Sequence, residues 1–312
     1  MTLATIPEGD FVLLIDASSY FHRNFHTATK TVRRADGQET GAIIAFCWSL
    51  MKLIRLNKTM IGRRPSHAAV IMDSRGKNFR HDLYPRYKAQ RSEYEPGLES
   101  QLPFIPDVAD AFNLPCMKPD GFEADDVIAT YADMAEREGL NVVIASSDKD
   151  FHQLVSGRVF IYDAMKDKDP ERFDVSRAIV DINGVFEKWG VWPWEFADLQ
   201  ALMGDKVDNV PGVPGIGPKK GAALLKKFAS LEEMISEADF GEVERFASEK
   251  EMRAIAEHAD DIRISRQLVE LARNVPVPLD VDDLRLKQAD IWKLKDFFMS
   301  LESPQLARKV DF

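Results

Sequence analysis

Cysteine is scarce in this chain, and its placement suits neither a disulfide framework nor a zinc site. Only Cys47 and Cys116 occur among 312 residues, and no Cys/His spacing typical of zinc ligands is present. Both cysteines lie in apolar contexts, which favours buried thiols in a reduced, intracellular protein. The sequence therefore excludes a disulfide-stapled secreted domain.

Long hydrophobic runs are also missing. No apolar stretch approaches the roughly 20 residues that a membrane-spanning helix needs, and residues 1–10 are too polar for a signal peptide. We therefore expect a cytoplasmic protein with no membrane partner. With 45% hydrophobic residues, the chain can build a real core in one large or two modest domains.

Basic residues are in the minority. The chain has 41 Lys and Arg against 51 Asp and Glu, a formal net charge of -10. Taken alone, this balance argues against a nucleic-acid partner. A total charge hides local clusters, however, so the distribution of the charges carries more information than their sum.

Three continuous apolar runs of strand length each lead into an acid. The runs and their acids are 11–15 with Asp16, 68–72 with Asp73, and 141–145 with Asp148 and Asp150. Such runs are typical of strands buried on both faces of a parallel sheet, and helical segments, including 41–56, lie between them. The alternation predicts an α/β fold with a mostly parallel sheet. Because ligands bind beyond the carboxyl ends of such strands, these acids predict a site rather than three turn residues.

The segment 121–128 places Glu123, Asp125 and Asp126 directly before an apolar run with helical spacing. A helix beginning near Glu123 carries Glu123 and Asp126 on one face, where they repel each other unless a cation lies between them. Acids that complement the dipole at a helix N-terminus are an equally good interpretation of this segment alone. The acidic strand ends favour the site.

Residues 75–91 form a basic segment after the second predicted strand. Six Lys or Arg residues stand against the single acid Asp82, and three aromatic rings are interleaved. This combination is typical of a channel for single-stranded nucleic acid, with cations along the phosphates and rings stacked on bases. A solvated loop is the alternative. The residues are Arg75, Lys77, Arg80, Arg86, Lys88 and Arg91, with Phe79, Tyr84 and Tyr87.

After residue 160 the pattern becomes helical. It predicts helices over 174–189 and 194–203, followed by Asp205 and Asp208, a further acidic pair with i, i+3 spacing. The remainder of the chain reads as amphipathic helices. This second half therefore looks like a helical region that adds two acids to the candidate site.

A glycine-rich segment follows these acids, and it contains four lysines and no acid between 210 and 230. Gly215 and Gly217 open a helix whose free N–H groups could hold a phosphate. Lys219 and Lys220 lie in its first turn, where they oppose the helix dipole unless an anion binds there. The segment lacks the G-x-x-x-x-G-K-[ST] pattern and the preceding strand of a nucleotide-binding loop.

Nine acids are candidates for one site: Asp16, Asp73, Glu123, Asp125, Asp126, Asp148, Asp150, Asp205 and Asp208. Without them, the remaining 42 acids are balanced by the 41 basic residues. Nine converging carboxylates would destabilise the fold and partly protonate unless cations were bound. All-oxygen ligation indicates Mg²⁺ or Mn²⁺ rather than zinc.

Two metal ions beside phosphate-binding surfaces suit in-line hydrolysis of a phosphodiester. Arg80, Lys88 or Arg91 could add an electrophilic contact to the scissile phosphate. No Ser-His-Asp set and no reactive cysteine is evident, so the sequence gives no support for covalent catalysis.

Five motifs in this order resemble the 5′ nuclease (flap endonuclease) superfamily. They are 121–126 (GFEADD), 147–150 (SDKD), 87–91 (YKAQR), 204–209 (GDKVDN) and 212–217 (GVPGIG). The chain is most similar in pattern to the 5′–3′ exonuclease domain of bacterial DNA polymerase I and its free-standing and phage relatives. The resemblance runs from about Phe11 to the C-terminus.

The resemblance implies a PIN-like α/β core over 1–190, with a basic helical arch at about 75–100. It also implies a helical region over 191–312 with a helix–hairpin–helix at about 205–228. The implied activity is structure-selective 5′–3′ exonuclease and 5′-flap endonuclease cleavage in replication or repair. Expected substrates are DNA flaps, nicks, gaps and free 5′ ends, together with RNA–DNA primer junctions, cut by a monomer with two or more Mg²⁺ or Mn²⁺ ions.

The resemblance also implies roles for particular residues. The nine acids fall at the family's metal positions, Lys88 and Arg91 lie in the arch, and Tyr87 is placed to stack on a base. The hairpin would grip duplex DNA, often in this family with K⁺ on its carbonyls. The implied DNA-binding residues are Arg23, Tyr87, Gly212, Gly215, Gly217, Lys219 and Lys220.

Two departures from the family pattern stand out. His22 occupies a position before Arg23 that is commonly tyrosine in polymerase-linked members, which puts a stacking role there in doubt. The chain ends near the usual end of the nuclease domain, so we expect a free-standing enzyme or an excised domain.

Three other functions compete with this interpretation. A module that binds branched DNA without cutting is disfavoured, because the retained acids repel DNA unless metals are bound. A phosphatase with an aspartyl nucleophile needs D-x-D, and Ser18 follows Ala17 where the second acid would stand. An RNA-cutting nuclease with a related acidic sheet stays open.

Overall fold

A single twisted sheet organises the N-terminal part of the molecule. The computed structural model describes residues 6–27, 32–54, 64–74, 76–91, 93–164, 178–240 and 248–310. Within them, six strands follow the order β3-β2-β1-β4-β5-β6, all parallel except β6, which pairs antiparallel with β5. The strands are β1 Phe11–Asp16, β2 His67–Ile71, β3 Cys116–Met117, β4 Asn141–Ala145, β5 Val159–Tyr162 and β6 Ile179–Val180. The predicted mostly parallel α/β class is confirmed.

The three central strands are buried along their whole length, as their continuous apolar sequences predict. β1 lies between β2 and β4, and the register pairs Asp16 with Ile71 and Ile15 with Ala145. The carboxyl ends of the three strands therefore finish level with one another. The acids that follow these strands consequently emerge at one edge of the sheet.

Helices cover both faces of the sheet and build the rest of the chain. In the first part they are α1 Ala17–Thr27, α2 Gly41–Ile54, α3 Phe79–Leu83, α4 Pro96–Glu99, α5 Ile105–Ala111, α6 Ala124–Arg137 and α7 Ile182–Trp189. In the second part they are α8 Phe196–Met203, α9 Pro218–Leu225, α10 Leu231–Phe240, α11 Glu249–Glu257, α12 Ala259–Val269, α13 Ile291–Ser300 and α14 Pro304–Ala307. Short 3₁₀ helices occur at Leu102–Phe104, Asp150–Leu154, Pro193–Glu195 and Val281–Leu284.

The helix predictions need two adjustments. The long helix predicted over 41–56 is present to Ile54, and its last two positions lie outside the described residues. The first four positions of the helix predicted over 174–189 lie outside the described residues, and the prediction is wrong at residues 179–180, where β6 pairs with β5. α7 begins only after Asp181, whose carboxylate accepts the Gly184 N–H at 2.8 Å and caps the helix. The helix predicted over 194–203 is confirmed, with a 3₁₀ turn ahead of it.

Each sheet face has its own apolar core, one of which includes α13 and α14, and α8 to α12 form a third core around Phe196 and Met234. The return segment, residues 268–286, leaves α12 and runs back across the α/β core. Tyr131 donates its hydroxyl to the Leu279 carbonyl at 2.9 Å, and the Leu286 N–H donates to Ser66 at 2.8 Å. No helix in the described part of the chain is long and apolar enough to cross a membrane.

Candidate functional site

Asp16 is the centre of the acidic edge. Its carboxylate accepts the Ser19 N–H at 3.0 Å and the Ser146 hydroxyl at 2.6 Å, so α1 and the end of β4 both fix its orientation. Burial raises the pKa of Asp16 to about 7, and the charges of Asp73 and Asp148 add to the rise. Asp16, Asp73 and Asp148 are therefore electrostatic neighbours, as the strand ends predict.

Asp73 and Asp125 connect this edge to the start of α6. The Asp73 carboxylate accepts the Ala124 N–H at 2.9 Å, a carboxylate at a helix N-terminus where the dipole favours it. Burial raises the pKa of Asp125 well above its ordinary value, and the charges of Asp148, Asp16 and Asp73 raise it further. The structure thus brings four of the predicted acids together.

The loop after β4 is held by its own side chains. The Ser146 hydroxyl accepts the Asp148 N–H at 3.0 Å, and the Asp148 carboxylate accepts the Asp150 N–H at 2.9 Å. Asp150 also accepts Gln200 Nε2 at 2.7 Å, which links the loop to α8. Burial and the charge of Asp148 raise the pKa of Asp150 to about 7.

Lys149 lies among these acids as a counter-ion, and the sequence reasoning missed it. Its ammonium pairs with Asp205 and lies 3.5 Å from Asp150. Burial alone would raise the pKa of Asp205, but the bond from Lys149 holds it below its ordinary value. The available signal was the position of this lysine between Asp148 and Asp150 in the sequence.

Glu123 and Asp208 form the second acidic group, and basic side chains from the segment 84–91 fill the space between them. The Lys88 ammonium binds Glu123 and lies 3.6 Å from Asp208, while Arg91 Nη2 donates to Asp208 at 2.5 Å. Burial would raise the pKa of Glu123, yet Lys88 and Arg80 hold it below its ordinary value. Lysine and arginine thus neutralise these two carboxylates.

The segment 84–91 is docked on the acidic turn 205–209. Lys88 has a left-handed backbone with φ of 54°, and its N–H donates to the Asp208 carbonyl at 2.9 Å. Asn209 Nδ2 donates to the Arg86 carbonyl at 2.6 Å, and the Gln90 amide donates to the Lys206 carbonyl. A non-glycine residue in this backbone region costs free energy, which the surrounding bonds must offset.

Arg80 and Asp126 lie apart from the open side of the acidic edge. Asp126 is 0% exposed, and its oxygens accept both Arg80 Nη atoms at 2.7 and 2.8 Å and the N–H groups of Ala272 and Glu123. Arg80 is 1% exposed, and it also donates to the carbonyls of the return segment at residues 268 and 270. Four of the five guanidinium N–H groups of Arg80 are used in these bonds, and burial keeps the side chain away from a phosphate in this arrangement.

Tyr87 is also buried, at 4% exposed. Its hydroxyl donates to Glu123 at 3.1 Å and lies 3.4 Å from Asp208. Burial, with the charges of these two acids, raises the pKa of the phenol far above its ordinary value. The ring is therefore not available to stack on a base in this conformation.

Arg23 and His22 lie on α1. The Arg23 guanidinium lies 4.8 Å from the centre of the Tyr20 ring, a cation–π contact. His22 packs edge-on against His26, with ring centres 4.5 Å apart. Burial and the neighbouring His26 lower the pKa of His22. No base-stacking platform is evident at this described position.

The glycine hairpin is packed backbone against backbone. A Cβ on Gly212 would lie 2.5 Å from the Met203 carbonyl, and Gly215 has φ of +83°. Gly217 begins α9 without a side-chain cap, and Lys219 and Lys220 are exposed beside it. Lys220 also pairs with Glu251 at 3.1 Å. The helix N-terminus therefore presents backbone N–H groups and lysine to solvent, as the sequence predicts.

The donor chemistry of the acidic edge fits hard divalent cations. Within the described residues, no three carboxylate, imidazole or thiolate groups already converge on one metal position. The acids nevertheless raise one another's pKa, so they can all ionise only beside added positive charge. Carboxylate oxygens are the ligands that Mg²⁺ and Mn²⁺ prefer. In this structure Lys88 and Arg91 supply such charge to Glu123 and Asp208. Lys149 supplies it to Asp150 and Asp205, and Asp16 and Asp125 keep a raised pKa.

Comparisons with known proteins decide the family. A model described as the 5′-3′ exonuclease N-terminal resolvase-like domain matches residues 11–190, and one described as the 5′-3′ exonuclease C-terminal SAM fold matches residues 191–291. The chain belongs to the 5′-3′ exonuclease family. The resemblance inferred from the five motifs is thereby confirmed, and the family is one of nucleases that act on DNA.

The relatives that match this member of the 5′-3′ exonuclease family include a protein of similar length and a much longer polymerase. A 5′-3′ exonuclease of Aquifex aeolicus is 35% identical over 298 residues, which span 96% of this chain and 94% of the relative. DNA polymerase I of Rhizobium leguminosarum is 44% identical over 308 residues, which span 98% of this chain but 29% of the polymerase. The chain thus spans about three tenths of that polymerase.

Solved structures share the fold. T5 5′-exonuclease with bound zinc ions has a TM-score of 0.63 at 19% identity, covering 96% of this chain and 98% of its own. The catalytic core of Rad2 in complex with DNA substrate has a TM-score of 0.61 at 14% identity, covering 96% and 92%. The predicted architecture, an α/β nuclease core followed by a helical C-terminal region, is confirmed.

Proposed function

We propose that this chain hydrolyses DNA phosphodiester bonds near 5′ ends, as a 5′–3′ exonuclease and 5′-flap endonuclease in replication or repair. One observation carries the proposal. Asp16, Asp73, Asp125 and Asp148 meet at the sheet edge where α/β folds bind ligands, and the charges of Asp73 and Asp148 raise the pKa of the other two. Such a group would repel DNA unless cations were bound, so its chemistry fits metal-assisted hydrolysis.

The proposed cofactors are Mg²⁺ or Mn²⁺, two or more per site. Bound there, a divalent cation lowers the pKa of a water molecule and stabilises charge on the reacting phosphate. Structures of T5 5′-exonuclease with zinc ions and of T5 D15 protein with metal ions support a divalent metal ion. The choice of Mg²⁺ or Mn²⁺ rests on the all-oxygen donor set. The proposed ligands are Asp16, Asp73, Asp125 and Asp148 in one group, and Glu123, Asp150, Asp205 and Asp208 in the other.

Asp126 and Arg80, predicted as a metal ligand and a phosphate contact, receive a different role in this proposal. Their buried ion pair fixes α3 against the first turn of α6, beside Glu123 and Asp125. They are therefore positioning residues, which hold the acids in place without touching the substrate.

Lys88 and Arg91 have two successive tasks. In the free protein they neutralise Glu123 and Asp208. With cations held by these acids, the ammonium and guanidinium would be released to bind a phosphate of the 5′ strand. The same release would free Tyr87 for stacking on a base, as the family resemblance implies, and Arg23 on α1 would contribute a further phosphate contact.

Duplex DNA is the proposed ligand of the glycine hairpin. Gly212 lets the chain pass close to the Met203 carbonyl, and Gly217 leaves the first N–H groups of α9 open to a phosphate beside Lys219 and Lys220. Binding of K⁺ by the hairpin carbonyls is implied only by the family resemblance, and it stays a prediction.

The proposed substrates follow from the acidic edge and the glycine hairpin together. Structures of T5 D15 flap endonuclease with DNA and metal ions, and of Rad2 with DNA substrate, support DNA with a branch or a 5′ end. A 5′ flap, nick, gap or free 5′ end is the proposed form, with RNA–DNA primer junctions as a further substrate. A monomeric, cytoplasmic state stays a prediction.

The test uses a 5′-flap oligonucleotide labelled at its 5′ end, with the protein in Mg²⁺ plus K⁺ and, in parallel, in EDTA. We expect short labelled products only with Mg²⁺, and the product lengths distinguish endonuclease from exonuclease cleavage. A protein freshly loaded with Mn²⁺ serves as a second positive arm. Tight flap binding without cleavage in either metal would overturn the proposal in favour of a structure-specific binder.

A further inference from the structure

Three aromatic rings outside the acidic edge form a ladder next to α9. Phe186 and Trp192 stack with ring centres 4.3 Å apart and planes at 26°, and Trp192 and Trp194 follow at 5.6 Å and 14°. Trp194 is 66% exposed, so the last ring of the ladder has solvent beyond it. The stack therefore leaves contiguous aromatic surface exposed to solvent, and such surface commonly marks a binding site.

Hydrogen bonds and packing hold the ladder in place. Trp192 and Trp194 flank Pro193 in a 3₁₀ turn, and the Glu195 carboxylate accepts the Trp192 N–H at 2.8 Å. On the inner side, Trp189 packs against Phe196, with ring centres 5.1 Å apart, and joins the core of the C-terminal helices. The outer rings are therefore presented on a rigid base, which lowers the entropy cost of binding.

Two lysine side chains lie close to the rings of the ladder and its base. The Lys226 ammonium lies 5.4 Å from the centre of the Phe186 ring, and the Lys188 ammonium lies 4.9 Å from that of Trp189. The nearby Glu195 already caps the 3₁₀ turn. Aromatic faces flanked by lysine match a nucleic-acid strand, whose bases stack while its phosphates meet the cations.

The ladder also lies next to α9, whose N-terminus is part of the proposed duplex-binding hairpin. Lys226 follows the last residue of α9, and Lys219 lies in the first turn of the same helix. At ~1.5 Å per residue, the two lysines are about 10 Å apart along the helix axis, roughly three base steps of one DNA strand. α7 packs on α9 through Gly190, where an added Cβ would lie 3.4 Å from Ala222.

We propose that the rings of Phe186, Trp192 and Trp194 form a stacking platform on which an unpaired DNA base packs against the exposed Trp194. Lys226, at the Phe186 end of the ladder, would bind a phosphate further along the same strand. The proposal rests on DNA being the ligand of the hairpin. The expected ligand of the platform is a single-stranded DNA segment, or a frayed end, that leaves the duplex near α9. An apolar side chain of a protein partner is the competing occupant.

The test measures binding in EDTA, so that it does not depend on cleavage. Fluorescence anisotropy of a labelled flap and of labelled oligothymidylate gives affinities for the unchanged protein and for Trp194→Ala, Trp194→Phe and Trp292→Ala. Trp292 is a matched control, because it is 77% exposed on α13. We expect Trp194→Ala to weaken oligothymidylate binding by about 5- to 100-fold, Trp194→Phe to retain most of it, and Trp292→Ala to change nothing.

A photo-crosslink locates the contact. An oligonucleotide containing 5-iodouracil should crosslink to Trp194 in the unchanged protein and lose that adduct in Trp194→Ala. Equal affinities for Trp194→Ala and Trp292→Ala, or crosslinks confined to other residues, would overturn the platform. Cleavage of the flap in Mg²⁺ by the unchanged protein and by Trp292→Ala reports on the nuclease, whereas binding in EDTA reports on the platform. Failure of the platform and failure of the proposed nuclease are therefore distinguishable.

Discussion

The guanidinium of Arg80 binds both carboxylate oxygens of Asp126, at 2.7 and 2.8 Å, in the interior of the protein. Arg80 also donates to carbonyls at residues 268 and 270, and Asp126 accepts the Ala272 N–H. A buried pair with its bonds satisfied is tolerated, whereas losing one partner leaves a buried charge uncompensated. The pair thus ties the acidic edge to the return segment.

Arg80→Met should destabilise the protein by about 3–5 kcal/mol, because it leaves Asp126 buried without its main partner. Urea unfolding of the metal-free protein measures this loss. Arg263→Met is the matched control, since the Arg263–Glu232 pair is exposed and its removal should change stability little. An Arg80→Met protein of unchanged stability but without cleavage would instead indicate direct contact between Arg80 and the phosphate.

Asp148→Asn should keep the fold and lower turnover by about two orders of magnitude or more, because it removes a proposed cation ligand. Its negative charge raises the pKa of Asp16, Asp125 and Asp150, so its loss should not weaken the metal-free fold. Turnover on the labelled flap at saturating Mg²⁺, together with the unfolding midpoint in EDTA, measures both effects. Full activity at saturating Mg²⁺ would remove Asp148 from the site.

Lys88→Met should increase the affinity of the free protein for Mn²⁺ about 10-fold, because the ammonium competes with the cation for Glu123 and Asp208. The same change should lower turnover more than duplex affinity. Titration calorimetry with Mn²⁺ measures the first effect, and Lys77→Met, an exposed lysine of the same basic segment, is the control. Identical Mn²⁺ affinities for the two variants would show that Lys88 does not compete.

In EDTA, the Asp16→Asn variant should become more stable than the unchanged protein as pH rises, because the unchanged protein loses stability. The pKa of Asp16 is about 7 in the fold against an ordinary value of 3.8, so the folded state holds a proton that the unfolded chain has lost. The carboxylate therefore destabilises the fold progressively between about pH 4 and pH 7. Unfolding midpoints of the two proteins across that range make the comparison, and a constant difference between them would contradict the shift.

Gly212→Ala should destabilise the hairpin by about 2–4 kcal/mol, since its Cβ would lie 2.5 Å from the Met203 carbonyl. Gly217→Ala is the matched control in the same hairpin, because a Cβ there meets no atom within 4 Å. Thermal unfolding and duplex binding in EDTA separate the two variants. Equal behaviour of the two would mean that the hairpin backbone can move apart at Gly212.

The sequence predicts the strand ends well because buried parallel strands have continuous apolar runs, and Asp16, Asp73 and Asp148 follow them directly. It cannot tell that Asp126 faces inward, because its partner Ala272 lies 146 residues away along the chain. Helical spacing gives Glu123 and Asp126 one face, yet only the returning backbone determines that Asp126 is fully enclosed, at 0% exposed against 9% for Glu123. The position of β6 likewise depends on pairing with β5, which no local pattern reveals.

The return segment also limits how this protein can be divided or exchanged. Residue 190 separates the two matched family regions, but the bonds from Asp126 to Ala272 and from Tyr131 to Leu279 cross that point. A fragment cut there would leave Arg80 and Asp126 without their backbone partners at residues 268–272. Leu294, Phe298 and Leu306 of α13 and α14 also pack in the core of one sheet face. The unit that recombination can transplant intact therefore runs from β1 through α14, and a chimera joined at residue 190 inherits a mismatched core.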